Sequence, residues 1–366
     1  MVNLPWQIKE ALRRALSSPE RRACRRRWRN VQKSSSSDPR LAFGGVLDDG
    51  GLVHGGAVKL LALRDAFSSD ETSFNLLYLV SSAQPEFAEE MVAACRSRGI
   101  RLVWNQNGVG YPGWAGSEAE RHNAPMRRLR AAADTIIYQS EFCRAAADQF
   151  LGPCPVEGEV LWNPVDLEKF HPGPSPAGPL RLLTLGTHNY AERVLAPIQC
   201  LKALRDAGQE CTLTIAGRML WSDAERIVRD AIVSRGLGEA VTVRPAFDQD
   251  EAARMYRDHH ILLHPKYLDP CPTVVIEALA SGLPVIGSAS GGLPEMVPAD
   301  GGRLIPVPQV WDRLITPTGE ELAGAVQSVQ PHLSDMSRCA RRHAENHFGA
   351  PDWVARHGEI FRKLLA

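Results

Sequence analysis

The sequence predicts an α/β protein of two doubly wound domains, each a mostly parallel sheet covered by helices. Three observations predict it. The chain has 366 residues, about two domains at roughly 100–200 residues each. Short apolar runs alternate with helix-period segments along most of its length, the pattern of parallel strands joined by crossover helices. The alternation is interrupted once, by Asn163, Pro164, Pro172, Gly173, Pro174, Pro176, Gly178 and Pro179, and then restarts. Hydrophobic residues make up 44% and charged residues 23%, an ordinary globular balance.

The elements follow in order. Residues 1–37 form a basic extension. Residues 1–33 hold ten Lys or Arg against two acids, while the whole chain is neutral, so the body is mildly acidic. That is a basic tail on an acidic body, unlike a nucleic-acid-binding protein. Ile8, Leu12, Ala15 and Leu16 recur at helical spacing, and Arg25-Arg26-Arg27-Trp28-Arg29 follows. Residues 5–33 read as one or two short basic helices, which with Trp6 and Trp28 suit an anionic membrane surface. The plainer reading, a solvated helix packed against the body, is preferred. Ser34–Ser37 is a flexible spacer.

The first domain is read over 38–175. Strands are expected at 41–47, 74–80, 101–104 and 135–138. Helices are expected at 57–67, 85–98, 117–133 (broken near Pro125) and 141–150. The second domain is read over 176–350. Its strands are expected at 180–186, 212–216, 241–244, 261–264 and 284–288, and its helices at 191–207, 222–235, 249–258 and 273–281. The last helix, over 351–366, is assigned to the first domain. Eight scattered cysteines with no CxxC pair argue against a disulfide scaffold and for a reducing, cytoplasmic compartment. No apolar run approaches a membrane span, and the N-terminus lacks a signal-peptide core.

The chemistry gathers in Leu268-Asp269-Pro270-Cys271-Pro272-Thr273-Val274-Val275-Ile276-Glu277. Asp269 follows a predicted strand, and Pro272 and Thr273 suit the first turn of a helix. Ligands of open parallel sheets bind at the carboxyl ends of strands. A helix N-terminus there offers free N–H groups to a phosphate, which nominates 271–275 as an anion-binding turn. Glu277 stands among Val274, Val275, Ile276, Ala278, Leu279 and Ala280. A buried carboxylate needs partners. Two ribose hydroxyls would satisfy it, and so would an arginine or a backbone cap. His259, His260 and His264 invite a metal reading, but no matching carboxylate set accompanies them, so a structural role is favoured.

An acid, seven residues, then Glu277 followed by Ala-Leu-Ala-Ser-Gly-Leu-Pro-Val-Ile resembles the donor motif of retaining GT-B glycosyltransferases of the family 4 type (glycosyl transferases group 1). The resemblance extends to Asn163-Pro164-Val165-Asp166 through Phe170, to Leu213–Gly217, and to Gly291-Gly292-Leu293-Pro294-Glu295. It implies two Rossmann-like domains facing a cleft, the second binding a nucleoside diphosphate sugar and the first presenting the acceptor. It implies hexosyl transfer with retention, in polysaccharide or glycoconjugate biosynthesis. Glu277 would hold the ribose and Asp269, one methylene shorter than the usual Glu, the sugar. The backbone of Cys271, Pro272, Thr273 and Val274 would face the diphosphate or the sugar. No metal or other cofactor is implied.

The family has Gly-Arg after the first strand of its second domain, then a Lys. This chain has Gly186-Thr187-His188 and then Arg193. Arg193 is the nearest candidate for the second cation, and Lys266 or Arg218, beside Gly217, for the missing one. Gly55 and Gly56 close a glycine-rich run resembling the loop that lies over the donor. Asn105 and Asn107 stand in the loop that often carries a catalytic-site His and are read as acceptor or sugar contacts. The alternative is a catalytically degenerate GT-B protein acting as a binding partner. A dehydrogenase is excluded by the missing GxGxxG fingerprint. The expected partners are the nucleotide sugar, an unidentified sugar, lipid or polysaccharide acceptor, and a membrane surface through 5–33. The expected location is cytoplasmic, peripheral at the inner membrane face.

Overall fold

In the computed structural model, residues 18–45 and 55–366 are described, and the chain divides into two compact units. One runs to Leu161 and includes Pro351–Ala366; the other is Trp162–Ala350. The boundary therefore falls before the Pro/Gly-rich stretch, not at residue 175. The reason is local bonding. Val165 N donates to Phe348 O, and Phe170 is buried in the core of the second unit.

The first unit contains β1 (Gln32–Lys33), β2 (Arg40–Ala42), β3 (Ser68–Ser69), β4 (Ser73–Phe74), β5 (Leu76–Val80), β6 (Arg101–Gln106), β7 (Thr135–Tyr138) and β8 (Gly158–Val160). Six of these form a parallel sheet in the order β3-β2-β5-β6-β7-β8, and β1 pairs with β4. Tyr78, Val80, Val103 and Ile137 face a core shared with Leu60 and Leu63 and with Trp353, Ile360 and Phe361 of the helix Ala350–Leu365. The expected strand 74–80 is split at Asn75. Its side chain accepts from Arg40 N and donates to Ser36 O and Asp38 O, so it serves the neighbouring chain segment. The expected break at Pro125 is absent: one helix spans Ala119–Ala132. The break lies at Gly116, whose φ of 51° suits glycine. The helix Ser18–Arg29 buries Trp28 edge-on against Phe74, which removes that ring from any membrane-facing role.

The second unit contains β9 (Leu180–Leu185), β10 (Cys211–Ala216), β11 (Val241–Arg244), β12 (Ile261–His264), β13 (Val285–Ser288) and β14 (Gly302–Ile305). All are parallel, in the order β11-β10-β9-β12-β13-β14. Successive residues enter opposite cores. Leu182, Leu263 and Ile286 face the helices Glu192–Asp206 and Gly319–Val329. Leu183, Leu262 and Val285 face the helices Gln249–Arg257, Thr273–Ala280 and Leu333–His347. Both faces being covered explains why the strands read as continuous apolar runs. No element is expected from the sequence over 313–347, yet Thr318 and Glu321 form a capping box there. No described helix is long and apolar enough to cross a membrane.

Candidate functional site

Sheet order in the second unit reverses between β9 and β12, so the loops after these strands flank a topological switch point, where open α/β sheets bind ligands. Two glycines shape the first loop. Gly186 has φ 113° and Gly217, after β10, has φ 120°. A Cβ on Gly217 would lie 2.0 Å from Gly186 O, so no other residue fits. A Cβ on Gly186 would lie 3.1 Å from an Arg193 nitrogen and 3.5 Å from Val274, which brings the start of the helix Thr273–Ala280 beside this loop.

The side chains expected around that loop fall into distinct roles. Arg193 is buried, with its guanidinium donating to Thr187 O and, at 3.1 Å, to Leu185 O. It straps the end of β9. Thr187 itself is exposed. His188 is fully buried, with its Nε2 3.1 Å from Ala216 O, and burial followed by the nearby Arg193 pushes its pKa down to about 3. It is neutral at pH 7. Arg218 is exposed and meets the loop through its carbonyl, which accepts from His188 N. His188 Nδ1 and Arg193 Nε are buried with no hydrogen-bond partner among the described residues.

The second loop centres on Asp269. Its Oδ2 accepts from His264 Nε2 and from Lys266 Nζ, each at 3.0 Å. Burial alone would raise the Asp269 pKa. Lys266, His264 and Arg193 outweigh it and hold the carboxyl well below the usual range. Burial pushes His264 down to about 4, so this imidazole is neutral at pH 7 and its Nε2 donates to Asp269. His259 and His260 are spent on Met255 O, Thr214 Oγ1, Arg181 N and Pro176 O. Leu268 has φ 48°, a strained value for a branched residue, and its N–H is fixed on Ser290 Oγ at 3.0 Å. Gly291 backs the loop: a Cβ there would lie 2.4 Å from Asp269 O.

The helix Thr273–Ala280 begins after Pro272, and no side chain caps its N-terminus. Val275 N and Ile276 N donate to Pro272 O, and the helix dipole with the N–H groups of Thr273 and Val274 ahead of them suits an anion. Cys271 is not a ligand-facing thiol. It is buried, its Sγ accepts from Asn163 N, and its carbonyl accepts from Asn163 Nδ2 at 2.8 Å. Thr273 and Val274 are half-buried. Glu277, one turn in, is buried and receives a hydrogen bond from Tyr256 Oη at 3.0 Å. Burial raises its pKa to about 7, with Tyr256 and Lys169 opposing. Sequence reasoning misses Tyr256, which reads as an apolar core position. Only the packing of Gln249–Arg257 against Thr273–Ala280 turns its hydroxyl toward Glu277.

In the first unit, Gly55 and Gly56 open the helix Gly55–Ala66, and the rest of the glycine-rich run lies outside the described residues, as do Trp6, Lys9, Arg13 and Arg14. Asn105 and Asn107 do not offer free amides. Their Oδ1 atoms accept from the buried Lys59 Nζ at 2.8 and 3.1 Å. Their Nδ2 groups donate to Tyr78 Oη and Ser82 Oγ. Tyr78 Oη is in turn 3.1 Å from His357 Nε2. The direct acceptor contact expected of these asparagines is replaced by an internal network.

The architecture is the α/β fold with parallel sheets seen in GT-B glycosyltransferase structures. Sucrose-phosphate synthase from Thermosynechococcus elongatus superimposes with a TM-score of 0.66 at 19% identity, over 85% of this chain and 77% of that one. Anabaena HepE in complex with UDP-glucose gives 0.67 at 16% identity, over 84% and 89%. At such identities the likeness is one of fold. Residues 167–316, within the second unit, match the sequence model of the family described as Glycosyl transferases group 1. D-inositol 3-phosphate glycosyltransferase 1 of Catenulispora acidiphila is 29% identical over 219 residues, 53% of this chain and 51% of the relative. The chain thus spans about half the length of that curated relative.

Proposed function

We propose that this chain is a glycosyltransferase that moves a hexosyl group from a nucleoside diphosphate sugar to an acceptor hydroxyl, with retention at the anomeric carbon. One observation carries the reading. At the switch point of the second unit, Lys266 and Arg193 are set with the neutral imidazole of His264 around one carboxylate, Asp269, beside a helix with no side-chain cap. Two cations against one buried anion favour a further anion, and a diphosphate supplies it. Glu277 suits the ribose: Tyr256 serves one carboxylate oxygen, and sugar hydroxyls would complete its shell.

The bond from the anomeric carbon to the diphosphate oxygen breaks, a bond to the acceptor oxygen forms, and the acceptor proton passes to the leaving phosphate. The cations and helix N-terminus stabilise the charge that develops on that phosphate, so no metal is required. Retention rests on the family resemblance. The second reading, a degenerate GT-B binding partner, draws on Thr187 standing exposed where the family has arginine. It predicts ligand binding without release of nucleoside diphosphate. We further propose a cytoplasmic protein whose Ser18–Arg29 helix meets an anionic membrane face through its exposed arginines, Arg22, Arg25, Arg26 and Arg29.

A thermal-shift screen against UDP, GDP, ADP, TDP and their sugars, with and without magnesium, tests the donor site. At about 100 times its dissociation constant, the favoured ligand stabilises the fold by about 2.7 kcal/mol. The shift disappears in Glu277→Gln. No shift with any nucleotide sinks the donor reading, and an undiminished shift in Glu277→Gln sinks the ribose assignment.

A further inference from the structure

We propose that Lys266 supplies the charge on the donor diphosphate that Thr187 cannot. The inference rests on the donor-site reading above. Three cations stand near the β9, β10 and β12 loops, and their environments separate them. Arg193 is anchored: it is buried and its two terminal nitrogens donate to carbonyls at the end of β9, so it contributes charge from a fixed place rather than reaching toward a ligand. Moving it outward would release Leu185 O and Thr187 O. Arg218 is exposed, and only its carbonyl is tied to the site loop. Lys266 is intermediate. Its side chain is 24% exposed, and its ammonium is tethered at 3.0 Å to Asp269 Oδ2. One of its three hydrogens is used there, which leaves donors for a ligand on the open side.

The tether gives Lys266 a fixed address. Asp269 is itself held by His264 and by the Gly291 loop, with Gly292 N donating to Asp269 O at 2.8 Å. The ammonium therefore cannot swing freely into solvent. Lys266 also repels Arg193, and burial disfavours its charge, while Asp269 favours it. An arriving diphosphate relieves that repulsion. In this arrangement the positive charge has moved from the loop after β9 to the loop after β12. Asp269 then serves twice, presenting a carboxylate to the sugar and holding the lysine against the phosphates.

Calorimetric titration distinguishes the candidates. Wild type, Lys266→Met, Lys266→Arg and Arg218→Ala are each titrated at low salt with UDP, GDP and ADP and with uridine, guanosine and adenosine. For the base that wild type binds, Lys266→Met weakens the diphosphate about tenfold or more and leaves the nucleoside within about twofold. Lys266→Arg retains most of the diphosphate affinity, which also shows that the site tolerates substitution. Arg218→Ala changes either by less than about threefold. Equal diphosphate affinity in Lys266→Met and wild type overturns the inference while leaving the donor site standing. So does a parallel loss of nucleoside and diphosphate, which would mark Lys266 as merely shaping the site. If wild type binds neither ligand class, the donor-site reading itself fails.

Discussion

Both units place buried polar groups at the carboxyl ends of a parallel sheet, but they finish them differently. In the first unit, Lys59, Asn105, Asn107, Tyr78 and His357 bond to one another, and His357 Nδ1 closes on Trp353 O at 2.9 Å. In the second, among the described residues, Glu277 has one tyrosine for a partner, and Asp269 concentrates the donors of His264 and Lys266 on one oxygen. A satisfied network fixes a backbone; an incomplete one costs stability until something completes it. The difference suits the first cluster to scaffolding and leaves the second open to the proposed ligand.

The largest expected effect tests the incomplete side. The folded pKa of Glu277, about 7, lies above the ordinary glutamate value of 4.5. Its contribution to stability is full below about pH 4.5 and is lost as pH rises through about 7, by about 3 kcal/mol in all. Without ligand, Glu277→Gln should therefore flatten the decline in melting temperature between about pH 5 and 8. An unchanged slope would mean that Glu277 is already satisfied, and the comparison would break.

A smaller effect tests the closed side. Asn105→Ala leaves Lys59 and Tyr78 each short of a partner and should cost about 1–3 kcal/mol in denaturant unfolding. Nucleotide affinity in the second unit should not change. A loss of affinity with unchanged stability would return Asn105 to the ligand-contact role read from the sequence.

The smallest effect concerns a surface that belongs to neither network. Substituting Arg22, Arg26 and Arg29 with serine should alter stability by less than about 0.5 kcal/mol, because these side chains are exposed. Co-sedimentation with phosphatidylglycerol vesicles at low salt should fall, while phosphatidylcholine vesicles bind neither form. Equal sedimentation of both forms with anionic vesicles rules out this face as the contact.

Much of the fold was legible because strand and helix periodicities are local properties. Parallel strands covered on both faces read as apolar runs, and Pro272 with Thr273 marked the start of a helix. Legibility failed where one residue's bonding outweighed its pattern. Asn75 divides a run that reads as one strand, and Gly116 rather than Pro125 ends a helix. The capping box at Thr318 and Glu321 was present in the sequence but had no strong strand beside it to draw notice.

The sequence by itself determined the alternating architecture and the address of the candidate site: a short loop after a strand, an acid, and a second acid eight residues on along a helix. Those are fixed by chain connectivity and side-chain period. Only the tertiary structure decided which groups remain available there. Arg193 turned inward to carbonyls, Cys271 was taken by Asn163, the two asparagines were taken by Lys59, and Tyr256 was delivered to Glu277. The physical reason is that hydrogen-bond valence is spent between residues far apart in the chain, so what is left for a ligand is known only after the packing is.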